Sequence, residues 1–202
     1  MLETSSDSKD YDVLVMGGGP AGSATAALLA LKGYKTLILE KDQHPRFHIG
    51  ESLLPLSIPY LRELGVLDQV EQIGLRKYAA EFHSIYHDRI TSFEFGDAID
   101  PRYPYAFEVR RADFDHLLWK NALEKGAYGM DGCRIDQLEI ANQRIASVSA
   151  IDSQGTRHQF KARFYVDASG RDTLLADHLG TKKRNPRHRS ASRNGRKSDR
   201  WR

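Results

Sequence analysis

Cysteine is nearly absent from this 202-residue sequence: Cys133 stands alone, so no internal disulfide can form. A single thiol fits a reducing, cytoplasmic compartment. No run of 18 apolar residues occurs, which argues against a membrane-spanning helix. The first ten residues are polar and carry both Glu and Asp, unlike a secretory signal. There is no internal repeat, so a solenoid or propeller is not expected. Metal-ligand spacing is also thin. His44/His48 and His83/His87 are four apart, but that spacing gathers ligands only on a helix. The first pair falls in an expected loop and the second on an expected strand and turn, so no metal site is read. No nucleophile–histidine–acid arrangement stands out.

What remains is ordinary globular composition, 40% hydrophobic and 28% charged, of a length that suits one domain. The charge is unevenly spread. Residues 181–202 hold ten Lys/Arg and one acid, while the other 180 hold twenty Lys/Arg and 26 acids. The body is mildly acidic and the end strongly basic. That end has few apolar residues and no period, which predicts a basic disordered tail over 181–202. Residues 1–9 are expected to be a flexible N-terminus, and residues 10–180 the folded domain.

The densest signal is Val13-Leu-Val-Met-Gly-Gly-Gly-Pro-Ala-Gly-Ser23. A short apolar run at 11–16 predicts a buried strand, and the spacing Gly17-x-Gly19-x-x-Gly22 follows it directly. Pro20 suits a first helical turn, where its missing N–H is not needed. Residues 21–31 are rich in Ala and Leu, and Gly33 suits the helix end. Residues 36–39 predict a second buried strand ending at Glu40. Strand, glycine turn, helix and acid together describe a dinucleotide site. Gly17 would make the tight turn, Gly19 would let a pyrophosphate approach the backbone, and Gly22 would let helix and strand pack closely. Free N–H groups at the helix start would meet the phosphates, and Glu40 the ribose hydroxyls.

Further along, residues 53–65 and 67–73 predict helices, and 80–86 with 90–95 a hairpin turning at 87–89. Residues 105–110 predict a strand and 112–125 an amphipathic helix with Phe114, Leu117, Leu118 and Leu123 on one face. Three strands at 134–140, 144–152 and 157–160 suggest a meander, followed by a last apolar strand at 164–168. This order suggests an α/β fold: a doubly wound, Rossmann-like domain with a parallel sheet and an antiparallel β-meander insertion.

Three more stretches carry a family likeness: Arg46-Phe-His-Ile-Gly-Glu-Ser52, Val109-Arg-Arg-Ala-Asp-Phe-Asp115 and Val166-Asp-Ala-Ser-Gly-Arg171. With the glycine loop, they resemble the flavin-dependent halogenases, within the FAD oxidoreductases of the glutathione-reductase fold. The likeness covers about residues 10–180. It implies FAD as the dinucleotide, with Gly17, Gly19 and Gly22 at its pyrophosphate and Glu40 at its adenosine ribose. It also implies Arg46 near the cofactor and Arg111, opening the pattern Arg-x-x-Phe-Asp, against the ribityl-phosphate region. Arg46 and Arg111 are alternatively surface arginines. Asp167 either contacts FAD or caps the next turn. Glu51 and Ser52 either line the flavin or a tunnel, or cap a helix. Lys77 is the candidate catalytic residue: a family lysine faces the tunnel from flavin to substrate and positions hypohalous acid for the aromatic carbon. The alternative is a solvated lysine.

The resemblance further implies reduced FAD from a separate flavin reductase, O₂, a halide, and a small phenolic or pyrrolic substrate, free or carrier-tethered. Two family stretches, Trp-x-Trp-x-Ile-Pro and a late Gly-Asp-Ala, are not in the sequence. The expectation is therefore an N-terminal fragment, incomplete at the C-terminus, whose residues after about 186 are an out-of-frame or degraded ending. Two other readings stand beside the halogenase. One is an FAD-dependent aromatic hydroxylase or geranylgeranyl-type reductase. The other is an inactive fragment whose basic tail binds nucleic acid, the less favoured partner.

Overall fold

A computed structural model describes residues 9–182. The flexible N-terminus expected at 1–9 and the tail at 181–202 lie outside the described residues, apart from Lys9, Thr181 and Lys182. Strand β1 (Lys9–Met16) leads through the glycine loop into helix α1 (Pro20–Leu31) and back into β2 (Thr36–Leu39). Helices α2 (Ser57–Glu63) and α3 (Leu67–Ile73) follow, then β3 (Gly74–Lys77), the hairpin β4 (Ala79–Ser84) and β5 (Arg89–Glu94), and β6 (Ala106–Val109). Helix α4 (Arg111–Glu124) precedes β7 (Tyr128–Met130), β8 (Arg134–Ala141), β9 (Arg144–Ile151) and β10 (Arg157–Asp167); the short α5 (Leu174–His178) comes last.

One six-stranded sheet runs β7-β2-β1-β10-β9-β8, parallel from β7 to β10 and antiparallel beyond. Side chains alternate across it, as the strand period of two requires. Val13, Val15 and Ile38 face one way, into a core with α1 to α4. Leu14, Met16, Leu37 and Leu39 face the other way and meet Cys133, Leu138, Val148 and Phe160. The second face is thus covered chiefly by the meander rather than by a second helical layer, which narrows the doubly wound expectation. Separate two-stranded sheets, β3–β6 and β4–β5, stand apart from this sheet. Among the described residues, no helix is long and apolar enough to cross a membrane.

Several expected elements are corrected. The two strands expected at 157–160 and 164–168 are one strand, β10, which pairs with β9 through its first residues and with β1 from Phe160 onward. The helix expected from residue 53 begins only at Ser57, because the Leu53 N–H donates to the Phe107 carbonyl in a strand-like contact. Strands β3 and β7 were not foreseen. On α4, Leu123 is 37% exposed, and Trp119 and Ala122 complete the buried face in its place.

Candidate functional site

The chain's path at the glycine loop follows from which atoms crowd it. Gly17 has φ +113, and a Cβ there would lie 2.5 Å from the Ala168 carbonyl oxygen. A Cβ on Gly22 would lie 1.8 Å from the Gly17 carbonyl oxygen, so the helix start presses directly on the strand end. Gly18, between the pattern positions, is closed in by Glu40 and Trp119 at 2.7 Å. Only Gly19 is open: its nearest neighbour would be Nη2 of Arg46, at 3.5 Å. The backbone is therefore bare on the side facing Arg46.

The amides there are available. Gly17 N–H donates to the Leu39 carbonyl, and Ser23 N–H makes the first helical bond, to Gly19. The amides of Ala21 and Gly22 precede that bond and have no helical acceptor. They point where a helix carries partial positive charge.

Glu40 ends β2 and is buried. Its Oε2 accepts the Gly18 N–H at 2.6 Å and its Oε1 the Asp42 N–H at 3.0 Å. Two amides thus fix the carboxylate while leaving it lone pairs to accept hydroxyls. Arg46 lies beside it, with Nη2 3.4 Å from Oε2 and Nη1 3.6 Å from Asp115. Its Nε is buried without a partner. Arg111 sits at the start of α4 in a two-bond pair with Asp115, at 2.8 and 2.9 Å.

Gly17, Gly19, Glu40, Arg46 and Arg111 line one cleft of about 420 Å³, with Ser169 on its far wall. That volume lies within the range of small-molecule sites. Lys41 and Asp172 pair across its rim at 2.5 Å. Cys133 also lines it; burial pushes its thiol up to about 11, so it is no nucleophile at neutral pH. An open loop face, unused amides and a buried guanidinium nitrogen without an acceptor together fit a diphosphate.

Asp167, at the end of β10, is engaged with the turn that follows it. Its Oδ1 accepts the N–H and hydroxyl of Ser169, and its Oδ2 accepts the Leu175 N–H. Burial pulls its carboxyl upward, but those hydrogen bonds outweigh it and the net direction is down.

A second group lies outside that cleft. Lys77 closes β3, and its ammonium donates to the Ser52 hydroxyl and stands 3.5 Å from Glu108 Oε2. Ser52 bridges to Glu108 in the backbone, and Val109 N–H donates to the Glu51 carbonyl. So Ser52 meets Lys77, which ends β3 just ahead of the hairpin. Sequence reading gave no role to Asp115 or Glu108. Asp115 had a signal in the Arg-x-x-Phe-Asp pattern; Glu108 had none, because its meeting with Lys77 depends on the β3–β6 register.

Comparison with known proteins adds three findings. The family described as FAD binding domain matches residues 10–194. A flavin-dependent halogenase of Armillaria mellea is 34% identical over 168 residues, covering 82% of this chain and 33% of that protein. A chlorinase of 1H-pyrrole-2-carbonyl-(peptidyl-carrier protein) from Pseudomonas fluorescens is 34% identical over 197 residues, covering 88% of this chain and 43% of that protein. The chain thus spans less than half the length of either. Among solved structures, the myxobacterial chondrochloren halogenase has a TM-score of 0.74 at 32% identity, covering 80% of this chain and 38% of that one.

Proposed function

The chain belongs to the FAD binding domain family, and from that premise we propose that it is the cofactor-binding part of a flavin-dependent halogenase. The supporting observation is spatial: five residues picked out as cofactor contacts share one cleft, and Lys77 is held apart from it by Ser52 and Glu108. In this reading, Gly17, Gly19 and Gly22 shape the pyrophosphate cradle and Glu40 accepts the adenosine ribose hydroxyls. Arg46 and Arg111 supply positive charge beside it. Reduced FAD supplies the two electrons with which O₂ and a halide give an electrophilic halogen.

Lys77, held by a hydroxyl and a carboxylate, orients that halogen toward an electron-rich aromatic carbon. The substrate is a phenol or pyrrole, free or tethered to a carrier protein as in the relative's name. A separate flavin reductase supplies reduced FAD. The lone, buried Cys133 suits a reducing cytoplasm. Metal binding has no part in this reading.

Two measurements test it. Titration with FAD is expected to shift the flavin absorption band and quench its fluorescence; free-flavin behaviour throughout sinks the reading. In a full-length enzyme carrying this chain as its N-terminal part, reduced FAD, O₂, chloride and a phenol or pyrrole probe are expected to give a chlorinated product. Lys77→Ala should abolish that product while flavin reoxidation continues. Chlorination that survives the substitution removes Lys77 from the chemistry and leaves a related FAD hydroxylase or reductase as the better reading.

A further inference from the structure

Asp115 is the most deeply buried carboxylate at the cleft, fully removed from solvent on the first turns of α4. Its Oδ1 accepts from Nε of Arg111 at 2.8 Å, and its Oδ2 from Nη2 at 2.9 Å. Such a two-bond pair fixes a guanidinium in plane and direction. The remaining nitrogen of Arg111, Nη1, donates to the carbonyls of Ile49 at 3.1 Å and Gly50 at 3.3 Å. Four of the five N–H donors of Arg111 are thus engaged, which fixes its orientation.

Arg46 is not held in this way. Its contacts are long: 3.4 Å to Glu40, 3.6 Å to Asp115 and 4.0 Å to Asp42. Its Nε is buried with no acceptor. A guanidinium with so few good hydrogen bonds in a nearly closed site needs a reason to be there. The reason on this side is Asp115, whose second oxygen faces it; on the other side is the open backbone of Gly19.

We propose that Asp115 is the positioning residue of the nucleotide cleft: it locks Arg111 and holds Arg46 beside Gly19, so that both arginines present positive charge to a diphosphate in that cleft. This inference rests on the FAD reading above. Asp115 acts through the arginines and touches no substrate atom itself.

The test compares ligands with and without phosphate, using Asp115→Asn in the full chain. FAD and ADP affinities should each fall about tenfold, while adenosine affinity stays within about twofold. In a double-mutant cycle, Asp115→Asn added to Arg46→Ala should weaken ADP binding by less than Asp115→Asn does in the unaltered chain, the remaining loss being the part that runs through Arg111. Equal losses for ADP and adenosine mean a general disturbance of the fold and overturn the inference; so do unchanged FAD affinity or additive losses. Asp115→Glu guards against misfolding. It keeps the charge and moves the arginines by one methylene, so it should show the same phosphate-selective loss with a near-native melting temperature. Full ADP affinity in Asp115→Glu overturns the inference. An unaltered chain that binds neither FAD nor ADP overturns the cofactor reading, and the inference falls with it.

Discussion

Beneath the glycine loop, Leu14, Val15 and Ile38 are wholly buried, whereas on the β4–β5 hairpin Phe82, Ile85, Tyr86, Ile90 and Phe93 stand in solvent. Both regions are short strands rich in branched and aromatic residues. The difference lies in what covers them. The parallel strands have helices on one face and the meander on the other. The hairpin's rings have chiefly each other: Phe82 and Phe93 stack with centroids 5.6 Å apart. A two-stranded ribbon without a covered face is marginal on its own. Stability and the nucleotide cleft therefore reside in the same part of the molecule. Lys77 sits between the two parts, at the end of β3, which pairs with the buried β6 and leads into the exposed hairpin.

Deleting a large side chain in each region probes that contrast most strongly. Ile38→Ala removes a fully buried group and should cost about 4 kcal/mol. Phe82→Ala removes a ring that is 62% exposed and should cost below about 1 kcal/mol. Urea unfolding of the two variants measures both. Equal losses would mean that the hairpin is as much a part of the core as the sheet, and the contrast would be void.

Gly22→Ala sharpens the same comparison within the stable region. The added Cβ would meet a backbone oxygen at 1.8 Å, so strand end or helix start must move. A cost of about 3 kcal/mol is expected, with loss of FAD retention because the cradle itself shifts. Gly155→Ala is the control. Gly155 lies in the β9–β10 turn with nothing within 4 Å, so only its positive φ is strained and FAD binding should persist. Retained FAD binding in Gly22→Ala would remove the close approach of helix and strand from the argument.

How much of this was legible follows from how local each feature is. The run β1, glycine loop, α1, β2 was readable because its pattern is written in consecutive residues, although Ala168 and Trp119, which crowd Gly17 and Gly18, come from far along the chain. The meander turn at Asn142 and Gln143 was readable too, since both take positive φ in a two-residue hairpin. Strand β10 was split in two by the sequence reading because Lys161 and Arg163 interrupt its apolar pattern. The structure keeps it whole by changing its partner from β9 to β1 at that point. Strands β3 and β7 are three or four residues long, too short for any period to register. Asp115 was legible only as the last letter of Arg-x-x-Phe-Asp, not as a hub: on a helix an Asp reads as the polar face, and its second partner, Arg46, comes from a distant loop.

The smallest effect is carried by two histidines in the two regions. His44 stacks on Trp119 at 5.1 Å and lies 6.1 Å from His116, and neither of its ring nitrogens has a partner. Burial lowers its pKa below the ordinary 6.5, and the Arg46 charge adds to this; Glu40 and Asp115 oppose it. Asp131 also stands close, accepting the His44 backbone N–H. His44 is therefore neutral in the fold, while the unfolded chain takes up a proton near pH 6.5. Between the folded value and 6.5 the unfolded state binds more protons, so stability rises with pH there and falls on acidification. Melting temperatures taken downward through this window should drop slightly. His44→Gln should flatten that part of the slope. His83→Gln, on the exposed hairpin, should leave it in place. A slope that survives His44→Gln but disappears with His83→Gln would reverse the assignment of which region feels the proton.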